Sequence, residues 1–183
     1  MLTLLALITA VGSADADRLS HMTNLNDEVC LRAFPDDKAI EALMTAQHAK
    51  PLTADEVRVT MHDDPARGWV LQDGTTTVWI EFPPYHACSV RWNTPEIGDL
   101  HEYRAIADRY EAANGTFSPM DPYETDYGDI HVHAVGETRT LPDGGAESLF
   151  IFDQQLNAAK RRAAGETGYS LRFVHQFHGP EAK

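Results

Sequence analysis

Basic residues and cysteines are scarce in this chain of 183 residues, which has 15 Lys and Arg, 28 Asp and Glu, and two Cys. The formal net charge is −13, and the sequence has no basic stripe of the kind that nucleic-acid binding requires. The one basic cluster, Lys160-Arg161-Arg162, is too short to neutralise a phosphate track. We therefore predict that nucleic acid is not a partner and that an anionic membrane surface repels the protein.

Several catalytic motifs are also missing. The two Cys do not form C-x-x-C, no glycine loop could cradle a phosphate, and neither Ser148 nor Ser170 lies in a nucleophile elbow. His101-Glu102 opens like the H-E-x-x-H helix of zinc proteases, but position 105 is Ala. No catalytic residue and no cofactor are therefore predicted, and these absences favour a binding protein over an enzyme.

No apolar run is long enough to cross a bilayer, since the N-terminal run covers only residues 2–11. It is followed by Gly12-Ser13-Ala14-Asp15-Ala16, which has the small residues of an A-x-A cleavage site. We predict a signal peptide over residues 1–16, a single domain over residues 17–183, no lipid anchor, and a periplasmic or secreted location. The absence of Lys or Arg before the run supports the alternative, a buried first helix or an edge strand.

The two cysteines are Cys30 and Cys88, 58 positions apart. In an exported protein an even number of cysteines favours pairing, and we predict a disulfide between them. Closing a loop of that length would stabilise the fold by about 4 kcal/mol in the chain-entropy description. The alternative is a pair of independent buried thiols.

The clearest strand pattern lies in residues 68–92. Val78, Ile80 and Phe82 alternate with polar or bulky neighbours, which is typical of a half-buried strand. Asp73-Gly74 predicts a tight turn before this strand, and a third run places Cys88, Val90 and Trp92 on one face. We predict a three-stranded meander with Cys88 on its buried face.

The remaining elements alternate between helices and strands. Helices are predicted through Val29 to Phe34, from Asp36 to Pro51, and from Asn93 or Thr94, with Pro95 first, to Asn114-Gly115. Val57 to Met61 could be a short strand, and Phe117 to Asp126 a loop. Further strands are predicted at Ile130 to Arg139, Ser148 to Asp153 and Tyr169 to Phe177. The expected fold is α+β, with about six antiparallel strands in two three-stranded groups, forming one twisted sheet or two packed halves, and helices on one face.

A possible metal site lies in His131-Val132-His133, because the two His project from the same face of a strand. Together with Glu137 and Gly144, their spacing resembles the first motif of the cupins, which are metal-binding β-barrels. The resemblance implies a divalent metal held by His131, His133 and Glu137, although Thr125 stands where the motif has its leading Gly and the second motif is not recognisable. The alternative is a solvated strand face with two exposed His.

Two additional ligands, Asp129 and His175, could join that site only if the fold brings them near it. His175 alternates in phase with Leu171, Phe173 and Phe177, which favours a position at the edge of the core.

A possible partner surface is formed by Pro83, Pro84, Tyr85 and His86 at a strand end. Tyr is enriched at protein interfaces, so these residues could contact another protein. The alternative is a rigid connection whose Tyr ring packs on the neighbouring strand.

One family resemblance covers roughly Asp27 to Arg91. It depends on the signal peptide, on Val29-Cys30-Leu31, on Gly68-Trp69-Val70 and on Cys88-Ser89-Val90. Together these features resemble an uncharacterised group of small exported proteobacterial proteins, many of them lipoproteins, and the group implies no activity. We expect an exported, non-enzymatic binding or accessory protein whose partner is an unknown protein or small ligand; the alternative is a metal-binding protein or metal-dependent enzyme.

Overall fold

The computed structural model describes residues 12–61, 63–83, 85–94, 97–157, 159 and 169–179. Most of the predicted signal peptide, Pro84 and the basic cluster Lys160-Arg161-Arg162 therefore lie outside the described residues. The first helix already begins at Gly12, so the predicted cleavage site after Ala16 falls within it. No helix in the described ranges is both long and apolar enough to span a membrane.

The described part of the chain contains nine strands, and the helices named next all lie in its first two thirds. The helices are α1 (Gly12–Asn26), a π-helix that continues it (Asp27–Ala33), α2 (Asp37–Ala46), α3 (Ala54–Met61) and α4 (His101–Asn114). The strands are β1 (Lys50–Pro51), β2 (Ala66–Val70), β3 (Thr77–Glu81), β4 (Tyr85–Thr94), β5 (Ser118–Pro119), β6 (Tyr123–Tyr127), β7 (Ile130–Thr140), β8 (Ala146–Leu156) and β9 (Tyr169–His178). The mixed α+β class is confirmed.

All nine strands belong to one antiparallel sheet with the order β1-β2-β3-β4-β9-β8-β7-β5, and β6 also pairs with β7. The predicted meander is β2-β3-β4, and Gly74 in its first turn has a φ of 71°. The two predicted groups of strands meet where β4 pairs with β9, so they form one sheet. The predicted number of about six strands is wrong, because β1 and β5 are too short to alternate and β6 is too polar to suggest a strand.

One predicted strand and two predicted helix boundaries differ from the structure. Val57 to Met61, predicted as a strand, belongs to α3, whose start is fixed by a capping box: Glu56 Oε2 accepts hydrogen bonds from the Thr53 backbone N and Oγ1, each at 2.7 Å. Helix α2 ends at Ala46 instead of near Pro51. Helix α4 begins at His101, whereas its predicted first residue, Pro95, lies outside the described residues. The predicted end of α4 is confirmed, and the Gly115 N–H donates to the Glu111 carbonyl at 2.8 Å.

The main core lies between one face of the sheet and the helices. Val78, Ile80, Cys88, Val90 and Trp92 all lie on this face and are buried, as their alternation predicts. The sheet also contributes Leu149, Ile151, Leu171 and Phe173, and the helices contribute Met22, Leu25, Val29, Ile40, Met44, Tyr103 and Ile106. The opposite face is also partly buried, chiefly around Trp79.

The predicted disulfide between Cys30 and Cys88 is confirmed. It joins the π-helix to β4, and both residues are fully buried in the main core. A covalent bond therefore fixes the first helical segment to the centre of the sheet.

Candidate functional site

A cluster of polar side chains lies inside the core, where three strands meet α4. Glu147 of β8 and His175 of β9 are 0% and 1% exposed. Glu147 Oε1 accepts hydrogen bonds from the Tyr110 hydroxyl of α4 at 2.5 Å and from His175 Nε2 at 2.8 Å. Its Oε2 accepts from Arg139 Nε of β7 at 2.6 Å, and Arg139 Nη2 forms an ion pair with the same oxygen. We call Tyr110, Arg139, Glu147 and His175 the buried charge cluster.

Both ring nitrogens of His175 face acceptors. Nδ1 lies 2.6 Å from the backbone oxygen of Cys30, and Nε2 faces the Glu147 carboxylate. Burial alone would raise the pKa of Glu147, but the hydrogen bonds from His175, Tyr110 and Arg139 outweigh it and hold the pKa at about 2. The carboxylate is therefore ionised.

Glu147 and His175 are closed to solvent, so a substrate cannot reach this pair. Tyr110 and Arg139 are only partly buried. The bonds of the cluster run between the elements around it: Tyr110 connects α4 to β8, and His175 connects β9 to the π-helix. Arg139 Nη1 also donates to the Asn114 carbonyl at the end of α4. The cluster therefore positions helices on the sheet.

The residues of the predicted metal site share one face of β7 but do not converge. His131 Nδ1 lies 2.9 Å from Asp126 Oδ1, whereas His133 Nδ1 lies 2.7 Å from Asp153 Oδ2. Glu137 is four residues beyond His133, about 13 Å along an extended strand. Among the described residues, no three His, Cys, Asp or Glu gather as metal ligands would. Metal binding at His131, His133 and Glu137 stays a prediction.

One of the two additional ligands suggested for that site, His175, is separated from it. His175 belongs to the buried charge cluster, which is deeper in the core than its predicted position at the core edge.

The residues of the predicted partner surface point in different directions. Pro83 and Tyr85 are exposed, and the Tyr85 ring stacks on His178 with centroids 5.5 Å apart. His86 points inward and packs edge-on against Phe34, with centroids 4.6 Å apart, and burial lowers its pKa. Partner binding at Pro83, Pro84, Tyr85 and His86 stays a prediction.

A cavity of about 360 Å³ lies between α4 and the strands β7 and β8. We call it the α4 cavity. Its apolar lining is supplied by Ala107, Pro119, Met120, Val135, Leu149 and Ile151. Its polar lining is supplied by Tyr103, Arg104, Asp108, Glu111 and Glu137. Apolar walls with a few polar groups are typical of small-ligand sites.

Two carboxyl groups line the α4 cavity, Glu111 from α4 and Glu137 from β7. Burial raises the pKa of Glu111 to about 7, together with its hydrogen bond to Glu137 and the negative charges of Glu137 and Asp108. Because neighbouring negative charges disfavour its ionised form, Glu111 keeps its proton up to near neutral pH.

Tyr103 brings an unpaired hydroxyl to the same cavity. Its side chain is 5% exposed, and its ring stacks on Phe173 with centroids 4.0 Å apart. No described residue forms a hydrogen bond with this hydroxyl. Burial raises the pKa of Tyr103, and the charges of Glu111 and Glu137 raise it further. Buried Tyr hydroxyls usually find a partner, so this one is available to a ligand.

The α4 cavity adjoins a second hollow of about 360 Å³ along α4. The two hollows share Asp108 and Glu111, and the second is closed at its far end by Gly115, Thr116 and Phe117. Glu111 therefore lies between two spaces that a ligand could enter.

The sequence contained signals for these residues that the predictions did not use. Glu147 alternates in phase with Leu149 and Ile151, and an acid at a core position of a strand indicates an internal ion pair. Glu111 follows Tyr103 and Ala107 at intervals of four, so it lies on the buried stripe of α4.

Comparisons of the chain with protein-family models, with curated proteins and with solved structures found no match. The function must therefore be inferred from the geometry of these residues.

Proposed function

We propose that the protein is an exported, non-enzymatic binding or accessory protein that holds a small ligand in the α4 cavity. The observation that carries this proposal is the cavity itself, whose volume of about 360 Å³ lies within the range of small-ligand sites. Its floor is apolar and its polar groups lie together, which would orient a ligand. Within the buried charge cluster, Glu147 and His175 are closed to solvent, which argues against catalysis by this pair.

The elements around the cavity are rigidly connected, which favours a preformed site. Tyr110 and Arg139 attach the C-terminal half of α4 to the sheet through Glu147. Tyr103 attaches its first half by stacking on Phe173. Binding to a preformed cavity avoids the loss of conformational entropy that ordering a flexible site would require.

Export is supported by the N-terminal apolar run and by the disulfide between Cys30 and Cys88. Disulfides persist in oxidising compartments such as the periplasm or the extracellular space. The resemblance of Asp27 to Arg91 to small exported proteobacterial proteins agrees with this location and supplies no activity.

The test is a screen of small fragments by ligand-observed NMR, with a variant that fills the cavity. Ala107→Phe places a ring in the α4 cavity, whereas Ala105→Phe places the same ring on the exposed side of α4. We expect fragments to bind the wild type and Ala105→Phe but not Ala107→Phe, with circular dichroism showing that both variants fold. Met120→Trp, which narrows the cavity from an exposed position, should weaken the binding of the same fragments. Fragments that bind all four proteins equally would show that the cavity is not the site.

A second proposal, a metal-binding protein or metal-dependent enzyme using His131, His133 and Glu137, is supported by the projection of both His from one face of β7. Elemental analysis of protein purified from its native host tests it. Stoichiometric zinc, iron or manganese that disappears in the His131→Ala/His133→Ala variant would favour this function over ligand binding in the cavity.

A further inference from the structure

The polar side of the α4 cavity is strongly biased towards negative charge. Asp108, Glu111 and Glu137 contribute three carboxyl groups, and Arg104 is the one basic residue of the lining. A carboxylate or phosphate ligand would meet repulsion here, while a cation would be attracted.

Two features indicate where a cation would bind. Glu111 and Glu137 line the cavity from a helix and a strand respectively, and a positive charge beside both carboxyl groups would relieve their repulsion. The hydroxyl oxygen of Tyr103, which has no hydrogen-bond partner among the described residues, offers a third acceptor from the same helix as Glu111. Three acceptors match the three N–H donors of an ammonium group.

Resting on the proposed function, we propose that the ligand is a protonated primary amine on a compact apolar body, with its ammonium group between Glu111 and Glu137. The apolar body then lies against Val135, Leu149 and Ile151 on the sheet. At roughly 30 Å³ per heavy atom, the cavity has room for about 12 non-hydrogen atoms. A Ca²⁺ or Mg²⁺ ion fits less well, because it requires six or more oxygen ligands and half of the lining is apolar.

The ammonium group binds best when Glu111 has lost its proton, so binding depends on pH. The charged and titratable groups facing Glu111 are Tyr103, Arg104 and Asp108 on α4 and Glu137 on β7, while β8 and the segment around Pro119 present none to the cavity. With the pKa of Glu111 raised to about 7, the proton leaves between pH 6 and pH 8. Affinity should rise roughly tenfold over that range, in proportion to the fraction of Glu111 that is ionised.

The experiment compares three probes of similar shape by isothermal titration calorimetry at pH 8 and low salt: 2-phenylethylammonium, 2-phenylethanol and phenylacetate. We expect only 2-phenylethylammonium to bind. Glu137→Gln should weaken the affinity for this probe at least tenfold. Tyr103→Phe, which keeps the ring stacked on Phe173, should weaken the affinity several-fold. Glu124→Gln removes an exposed carboxylate outside the cavity and should change the affinity less than twofold. At pH 6 the wild type should bind about tenfold more weakly.

The possible outcomes separate this inference from the proposed function. If 2-phenylethanol binds as tightly as the ammonium probe, or if Glu137→Gln has no effect, the amine inference is wrong while cavity binding stands. The amine inference is also wrong, and cavity binding also stands, if none of the three probes binds while other fragments bind the wild type but not Ala107→Phe. If neither fragments nor probes bind the wild type, both proposals are wrong.

Discussion

Glu147 carries a charge at a position from which water is excluded. Removing a carboxylate from water is unfavourable unless it is paired and hydrogen-bonded, and both of its oxygens are occupied by donors. Each donor comes from a different element, so the carboxylate acts as a common anchor for α4, β7 and β9. The residue matters for stability mainly because its partners would be left unpaired without it.

Replacing Glu147 with Gln should lower the free energy of unfolding by about 3–5 kcal/mol at pH 7, because Arg139 would lose its counter-charge and the hydrogen bonds from Tyr110 and His175 would lose their charged acceptor. Urea unfolding followed by circular dichroism measures the difference. Glu41→Gln, on the exposed side of α2, is the matched control and should change stability by less than about 0.5 kcal/mol. A loss below about 1 kcal/mol for Glu147→Gln would contradict the importance of the buried charge cluster.

Glu111 should impose a pH dependence of the opposite sign to that of an ordinary paired carboxylate. Its pKa is raised from 4.5 to about 7 in the folded protein, so the folded state binds more protons than the unfolded state between these values. The contribution of Glu111 is therefore most favourable at low pH and declines as the pH rises through 7. Glu111→Gln should remove this decline, which urea unfolding at pH 5, 6, 7 and 8 measures. An unchanged slope in the variant would contradict the raised pKa of Glu111.

At the scale of single elements, the disulfide and the buried charge cluster hold the same short helix. The π-helix is connected to β4 through the bond from Cys30 to Cys88 and to β9 through the hydrogen bond from His175 to the Cys30 carbonyl. Cys88 and His175 are directly opposite each other in the sheet. One position of the π-helix is therefore fixed to two neighbouring strands, which compensates for the low intrinsic stability of short helices.

Replacing both Cys30 and Cys88 with Ala should lower the free energy of unfolding by about 2–5 kcal/mol and leave the strand content unchanged. Denaturant unfolding with far-UV circular dichroism measures both quantities, and reduced wild-type protein should resemble the variant. Thiol titration of denatured, unreduced protein should find no free thiol. Two free thiols in protein from an oxidising compartment would contradict the role of the disulfide.

Elements were predictable where the local pattern was strong and complete. The strands β3, β4, β7, β8 and β9 alternate over five residues or more, and each was found near its predicted position. Val57 to Met61 was misleading, because a β-branched run does not outweigh the capping box of Thr53 and Glu56. The strand β8 was predicted to start at Ser148, one residue after Glu147, so the anchor of the buried charge cluster was missed.

At the scale of the whole molecule, the order of the strands could not be predicted. Alternation shows which face of a strand is buried but does not identify its neighbours. The pairing of β4 with β9 joins residues such as Cys88 and His175 that are far apart in sequence. The α4 cavity depends on the same long-range arrangement, because Glu111 and Glu137 meet only when α4 lies over β7. The cavity therefore could not be predicted from the sequence, even though the residues that line it lie on predictable faces of their helix and strands.

The export prediction also concerns the whole chain. N-terminal sequencing of protein from its native host should find Asp17 as the first residue, because the small residues before it form an A-x-A site. Removing residues 1–16 should leave the fold intact, since the buried core positions described in α1 begin at Met22. A recombinant chain that starts at Asp17 should therefore match the stability of the longer chain. Protein that retains Met1 in its host would contradict export.

The central position of β9 has a consequence for biosynthesis. β9 is the last strand of the sheet along the chain, yet it lies between β4 and β8. A nascent polypeptide that has emerged only as far as Leu156 therefore has two half-sheets with open edges facing each other across a gap. Open edges of apolar strands promote aggregation. Translation that stops before β9 would therefore yield an aggregation-prone fragment rather than a smaller stable domain. The sheet becomes continuous only after β9, Tyr169–His178, has been synthesised.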